Sequence, residues 1–413
     1  MSRVLPITVS LLVGSVLLAG CGGRKSDPAP PAPSSSSPDT PASGSGSGGL
    51  PGPPSPLSVV LESKGPLLLS GLEGGVLVTD VAHTHLARAG AGGELAAEPM
   101  PEGLPEGPGR ILLAAGRAPA PVWLVYEKLR EDGKVDANPL FRLGKEGLKK
   151  YADDWKPALA PWTKHRILAA STSSGKLKIK VIEPSLPGPP PDLPSAHLDD
   201  ASCEHTLRIE TLAALSSGEV LAAGTCKPDV AAGAGASPAR YVVIRWPSPG
   251  APAGAAADAW HLEPGGDGGV DERPGHVEVM PGLASDLTHA VLHARSAGDV
   301  WVGGSKLFHH DGASWGAVAL PPAVAAVRGL AVTEDGTVWM ATEHALWRRA
   351  GAGAWEDVPP PSRAGDPAGA WEMLGVVALD GRDVWIAARR TAVEGPRDLI
   401  LRLRAAPAVV RWE

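Results

Sequence analysis

A short unit recurs along this chain and limits what it can fold into. Three copies align directly: Ala297-Gly298-Asp299-Val300-Trp301-Val302-Gly303-Gly304, Glu334-Asp335-Gly336-Thr337-Val338-Trp339-Met340-Ala341-Thr342 and Asp380-Gly381-Arg382-Asp383-Val384-Trp385-Ile386-Ala387-Ala388. Each is a polar Gly/Asp turn feeding a β-rich run that ends in small residues. An apolar run precedes each copy (Ala290-Val291-Leu292, Gly329 to Val332, Leu374 to Leu379) and another follows (Lys306 to His310, Ala345 to Arg349, Leu399 to Leu403). A fourth run comes after a further turn, in Asp311 to Trp315 and Gly353 to Val358.

Looser copies lie upstream. Val76, Val122, Ile167 and Val220 occupy the place of Val300, and with Val338 and Val384 the spacings are 46, 45, 53, 80, 38 and 46 residues. Most fall near the propeller repeat length of about 40–50 residues. The long spacing contains Ala/Gly/Pro stretches, Pro228 to Pro238 and Pro247 to Asp258, which read as loops inserted around a strand at Tyr241 to Trp246. The expected fold is all-β: a single β-propeller of seven blades, each of four antiparallel strands, with six or eight blades as the alternatives. A four-stranded sheet with two apolar faces cannot bury both alone, so such sheets stack radially and close into a ring. Only Lys145 to Trp155 has a helical pattern, expected to decorate a loop.

Aromatic usage fits this architecture. Tryptophan occurs thirteen times, against three tyrosines and two phenylalanines, and many of the tryptophans sit in the repeated unit. Trp123, Trp301, Trp315, Trp339, Trp355 and Trp385 are expected to pack between blades, with each indole N–H reaching a turn carbonyl or water.

The units resemble propeller repeats of two-component-regulator sensor domains and of extracellular bacterial lipoproteins. Those repeats carry a Gly-Asp-Val-Trp or Asp-Gly-Thr-Val-Trp strand followed by an Asp-Gly-x-x-Trp turn, matched here by Asp299 to Gly304 with Asp311 to Trp315, and by Asp335 to Thr342. The resemblance covers about the last 130 residues and implies architecture more than ligand. The sialidase Asp-box, Ser-x-Asp-x-Gly-x-Thr-Trp, is a near neighbour. Thr333 to Trp339 lacks its residue between Asp and Gly, which argues against that activity.

The N-terminus adds a location. Arg3 opens a short apolar body, Val4 to Leu18, interrupted by Pro6, which suits an export signal better than a membrane-spanning helix of about 20 residues. It ends in Leu18-Ala19-Gly20-Cys21, which resembles the lipobox of bacterial lipoproteins. That resemblance implies removal of residues 1–20 and lipidation of Cys21, and attachment by several acyl chains is stable. Gly22 is not the aspartate that resembles an inner-membrane retention signal, so the outer membrane or cell surface is expected. Residues 21–57 are rich in Pro, Ser and Gly without apolar periodicity and read as a disordered tether with a reach of roughly 30 Å. The propeller is expected over residues 58–413.

Composition excludes some functions. A net charge of −7 without a basic stripe excludes a nucleic-acid partner. No phosphate loop, His-Glu-x-x-His or EF-hand spacing is present. No cofactor, metal or catalytic residue is therefore assigned. His83 with His85, and His289 with His293, could each place two rings on one side, but neither pair has a third ligand nearby. Arg348, Arg349, Arg389 and Arg390 read as solvated strand ends. The expected role is a membrane-anchored scaffold for a protein or glycan partner, with the loop Lys227 to Asp258 as one contact surface. The alternatives are an outer-membrane assembly scaffold, or a polysaccharide hydrolase or lyase acting at the channel mouth.

Cys203 and Cys226 flank one expected hairpin. In an oxidising compartment they are expected to form a disulfide worth roughly 3 kcal/mol; two buried thiols are the alternative, and a zinc site with His205 lacks a fourth ligand. Iodoacetamide added to the purified protein without reductant should leave both sulfurs unmodified. Alkylation of either one would show a free thiol.

Overall fold

The computed structural model describes residues 55–80, 85–116, 118, 121–153, 158–161, 167–173, 176–182, 208–215, 219–226, 240–246, 276–280, 290–322, 324–361, 369–380, 383–392, 395–403 and 409–412. The signal, Cys21 and all of the tether up to Pro54 lie outside this set, as do Cys203 and the side chain of Cys226. The folded body already includes Ser55, whose Oγ donates to the Pro359 carbonyl at 2.7 Å, and the buried Leu57.

Strand β1 (Ser58–Ser63) belongs to the last sheet, and the chain then builds the sheets in order. The first contains β2 (Leu67–Leu72), β3 (Gly75–Asp80), β4 (His85–Gly90) and β5 (Ala96–Pro99). The second contains β6 (Gly109–Gly116), β7 (Val122–Leu129), β9 (Leu140–Gly144) and β10 (Gly147–Ala152), with the short β8 (Val135–Ala137) paired to the end of β7. In the third, β11 (Leu159–Pro161), β12 (Ile167–Ser173) and β13 (Lys176–Ile182) are described. The fourth holds β14 (Arg208–Ala214), β15 (Val220–Cys226), β16 (Arg240–Trp246) and β17 (His276–Met280). The fifth holds β18 (Val291–Ser296), β19 (Asp299–Gly303), β20 (Leu307–His310) and β21 (Trp315–Val318). The sixth holds β22 (Val327–Val332), β23 (Thr337–Thr342), β24 (Leu346–Ala350) and β25 (Glu356–Val358). The seventh runs β26 (Trp371–Asp380), β27 (Asp383–Ala392), β28 (Gly395–Arg402), β1 and β29 (Val410–Trp412).

The first strand of each sheet touches the first strand of the next, from β2 through β6, β11, β14, β18, β22 and β26, and β26 returns to β2. Among the described residues this is a closed β-propeller of seven sheets. The loop inserted in the fourth sheet lies outside the described residues on both sides of β16.

One register organises the seams. Val76, Val122, Ile167, Val220, Val300, Val338 and Val384 all lie on the second strand of their sheet, and the residue after each is buried: Leu77, Trp123, Leu168, Leu221, Trp301, Trp339 and Trp385. Trp123 packs with Leu159 and Ile182 of the third sheet. Trp301 meets Leu330 and Val338 of the sixth, Trp339 meets Trp371 and Val384 of the seventh, and Trp385 meets Leu67 and Val76 of the first. Removing about 200 Å² of ring surface from water is worth about 5 kcal/mol before entropy is counted. Trp315 and Trp355 sit farther out, half-buried beside the seams flanking the fifth sheet.

Opposite that buried residue, the third strand carries a basic residue in six sheets: Arg88 pairs with Leu77, Arg142 with Trp123, Arg245 with Leu221, His309 with Trp301, Arg348 with Trp339 and Arg402 with Trp385. In the third sheet Val181 takes this place opposite Leu168. The Arg402 guanidinium lies 4.3 Å from the Trp385 ring centroid, and the His309 ring stacks on Trp301 at 4.1 Å. Both cover a face of the indole, and the guanidinium contact adds about 0.5–2 kcal/mol.

The seam between the seventh and first sheets closes the ring without a covalent hairpin. Asp383 accepts two hydrogen bonds from Arg402, at 2.7 and 2.8 Å, and one from the Gly92 backbone N–H of the first sheet at 2.8 Å. Arg402 also donates to the Gly93 carbonyl at 2.7 Å. Asp398 repeats the arrangement, accepting from Arg389 at 2.7 Å and from the Leu67 N–H at 3.1 Å. Strand β1, from the start of the folded body, supplies the fourth strand of the last sheet by pairing antiparallel to β28.

Of the segment Lys145 to Trp155, expected to be helical, residues 145–153 are described and are not helical. Gly147, at φ 91°, turns the chain, and β10 pairs back on β9 with Leu148 opposite Leu143. The exposed edge of β9 offers a full ladder of backbone partners, and Leu148 and Tyr151 gain neighbours in two seams. A lone helix on the surface offers neither.

Arg402→Met should lower unfolding free energy by about 3–5 kcal/mol, because it leaves the Asp383 carboxylate buried without its counter-charge. A change below about 1 kcal/mol in denaturant titration would show that this pair is dispensable for closure.

Candidate binding surface

The aspartates of the repeated motif are occupied in turns. Asp335 accepts from the Thr337 N–H at 3.0 Å, with Gly336 at φ 83° completing the turn. Asp311 accepts from the Ala313 and Ser314 N–H groups at 2.9 and 3.0 Å. These hydrogen bonds, from the Thr333 hydroxyl first for Asp335 and from Ser314 first for Asp311, hold both carboxyls below their ordinary range. Asp299 is bonded to Arg295, to His309 at 2.8 Å and to the Trp301 indole at 2.8 Å. All three carboxylates stabilise local geometry.

The described histidines do not converge. Among the described residues no group of three His, Cys, Asp or Glu side chains is placed to hold a metal. His83 and His289 lie outside the described residues, and His85 pairs with Asp80 at 3.5 Å. His309 is half-buried on Trp301, whereas His310 is buried and its Nδ1 accepts from the Gly312 N–H at 3.1 Å. Arg390 is not a solvated strand end as read from sequence, because the strand pairs over its length with β26 and β28 and draws it into the seventh sheet, whereas the Arg389 side chain stays 36% exposed. Arg389 is bound to Asp398, and Arg390 is 5 % exposed. Arg348 is exposed and paired with Glu356.

A groove of about 510 Å³ opens between the outer strands of the fifth and sixth sheets. One wall is Ala317 to Pro322, the end of β21 and the segment after it; the other is Trp347, Arg349 and Gly353 to Trp355. The Trp355 indole donates to the Ala319 carbonyl at 2.9 Å, fixing the ring across the two sheets. Arg349 donates to the Gly353 carbonyl at 2.9 Å and lies 5.8 Å from the Trp355 ring, so the only charge in the lining is held in place. The Trp347 Nε1 is shielded from solvent and has no hydrogen-bond partner. Asp357, opposite Trp347 in the β24–β25 register, is pushed above the ordinary carboxyl range by burial. Strand β21 forms the outer edge of the fifth sheet with the uncharged sequence Trp-Gly-Ala-Val, and lacks the lysines that usually protect an edge. The sequence had shown Trp355 as a packing residue; it gave no sign that Trp347, Arg349 and Pro321 would face one another, since they come from two blades.

No protein-family model and no curated protein matches this chain. Solved structures do align with it. Virginiamycin B lyase from Staphylococcus aureus is 12% identical over 84% of this chain and 98% of its own, with a TM-score of 0.47. YCF48 from Cyanidioschyzon merolae is 14% identical over 85% and 97%, at 0.48. The extracellular domain of a one-component system protein from B. thetaiotaomicron is 11% identical over 82% and 40%, at 0.43. At these values the propeller assignment rests on this chain's own strand pairing.

His293, on β18, is the described histidine most altered by its surroundings. Burial against the sixth sheet lowers its pKa from 6.5 to about 4, outweighing the attraction of Asp299; Arg295 lowers it further, and a hydrogen bond with the Val332 backbone opposes the shift. The ring is therefore neutral when folded and protonates more readily when unfolded. Stability is fully present above pH 6.5 and falls as pH drops toward 4, by up to about 1.4 kcal/mol per pH unit. His293→Gln should flatten this part of the pH–stability curve. An unchanged slope between pH 6.5 and 4 would assign it to other groups.

Proposed function

We propose that this protein is a lipid-anchored, extracytoplasmic β-propeller that acts as a binding scaffold, holding a protein partner in the groove between its fifth and sixth sheets. The groove carries the reading: two tryptophans and a proline wall form a rigid apolar cleft with a single fixed charge. Aromatic-lined clefts of this kind suit extended peptide segments, and the uncharged edge of β21 offers backbone groups to a strand laid beside it. A glycan would need several convergent hydrogen-bonding side chains, and here the lining supplies only Arg349 and the indoles. The motif aspartates, committed to turns, support a non-catalytic role. The anchor rests on Leu18 to Cys21, and the oxidising compartment it implies suits a Cys203–Cys226 disulfide.

Two measurements test the proposal. Cys21→Ala should move the protein from the membrane pellet to the soluble fraction, and unchanged partition would remove the anchor. A photo-crosslinking residue at Ala354, in the groove, should capture a discrete protein in intact envelopes, while the same probe at exposed Val135 should not. Trp355→Ala should weaken that capture about 30-fold, as loss of an aromatic hot spot does. Equal capture at both positions would refute the groove as the partner surface.

A further inference from the structure

The groove between the fifth and sixth sheets suits one kind of peptide backbone better than another. Its first wall, Ala317 to Pro322, starts at the end of β21 and continues as a segment with few backbone groups to offer. Pro321 and Pro322 have no N–H. The Ala319 carbonyl accepts from the Trp355 indole at 2.9 Å, and the Pro321 carbonyl accepts from the Val324 N–H at 3.0 Å. Alternate residues of a strand turn their backbone groups to opposite sides, so the four residues of β21 leave about two residues of free edge. A β-strand laid in this groove would lose its ladder beyond Val318.

A polyproline II segment has no such need. It makes no internal hydrogen bonds, holds its shape before binding and advances about 3.1 Å per residue, so its rings can lie on aromatic faces at little ordering cost. The groove supplies those faces ready-made. Trp347 lies on β24, and Trp355, just before β25, is pinned to the opposite wall through Ala319.

Charge selects further. Arg349 is the one charged residue of the lining, and its bond to the Gly353 carbonyl uses Nε, which leaves both Nη groups for a ligand carboxylate. Asp357 is opposite Trp347, so it lies on the same side of the sheet but two residues along β24 from Arg349. An acidic ligand group is favoured at the Arg349 end and disfavoured at the Asp357 end, which gives the groove one direction.

We infer that the groove takes a proline-rich segment of its partner in the polyproline II conformation, with an aspartate or glutamate of that segment paired to Arg349. This rests on the groove as the partner surface and adds the chemical class of the partner.

Fluorescence polarisation of the purified full chain in detergent, with labelled peptides of about ten residues, tests it. A proline peptide ending in aspartate should bind. An alternating Thr-Val peptide should bind about tenfold more weakly, and lysine in place of the aspartate should cost about fivefold. Arg349→Gln should make the aspartate and lysine versions equal, whereas a merely structural Arg349 would change every peptide alike. Trp355→Ala should weaken all the proline peptides about tenfold. Equal binding of the Thr-Val peptide would put a strand on the β21 edge and overturn the inference, as would an aspartate preference that survives Arg349→Gln. Absence of proline-peptide binding in a chain whose Ala354 probe still captures a protein would overturn it too and leave the groove reading standing; loss of both results would remove the groove as well. Binding gained on dilution would seat a second copy, and binding gained when Pro28, Pro30, Pro31 and Pro33 become serine would seat the chain's own segment; either would overturn a separate partner.

Discussion

Ring closure is the constraint on which the remaining architecture depends. Six of the seven seams join sheets that follow each other along the chain, whereas the last must bring the C-terminal sheet against the N-terminal one. Two arginine–carboxylate pairs meet this demand, Arg402–Asp383 buried and Arg389–Asp398 part-buried, and each carboxylate also takes a backbone N–H from the first sheet. Because the third carboxylate bond comes from the neighbouring sheet, these pairs are well formed only when the ring is shut. Strand β1 couples the two ends further by completing the sheet that the C-terminal strands begin. The buried charges thus contribute to specifying the closed arrangement.

The other seams use a simpler device. A large residue on the second strand fills the space toward the next sheet, and in six sheets a basic residue on the third strand lies beside it in register. Over Trp301, Trp339 and Trp385 that residue lies against the ring; beside Leu77 and Leu221 the arginine remains and pairs with a nearby carboxylate, Arg88 with Glu98 and Arg245 with Glu219. Bulges in the first strands of the fourth and sixth sheets turn Glu210 and Arg328 toward the following sheet, where they bond the Ala290 N–H and Glu372. Polar contacts therefore reinforce the rims, and apolar packing fills the middle of each seam.

Function separates from this framework. The residues that make the repeat recognisable, its aspartates, glycines and tryptophans, are engaged in turns and seams. The groove proposed for binding takes Trp355 from the repeat pattern, but its facing wall runs from the end of β21 to Pro322, beyond that pattern. The pattern therefore identifies a propeller and is silent about its ligand.

Local sequence determined the seven second strands, because a β-branched residue followed by a large apolar one, after a Gly/Asp turn in five of the seven, is a short-range signal that survives even where tryptophan gives way to leucine. The run of β-branched residues from Tyr241 to Trp246 likewise marked the strand inside the long insertion. Local sequence misread residues 145–153, where helical propensity lost to the open edge of β9, and Arg390, a charged residue near a strand end that the seventh sheet buries. Tertiary structure alone decided that β1 completes the last sheet, that Asp383 and Asp398 reach the first, and that Trp347, Trp355 and Pro321 form one groove. Each of these joins residues far apart in the chain or on different blades, and only the closing of the ring brings them within contact distance.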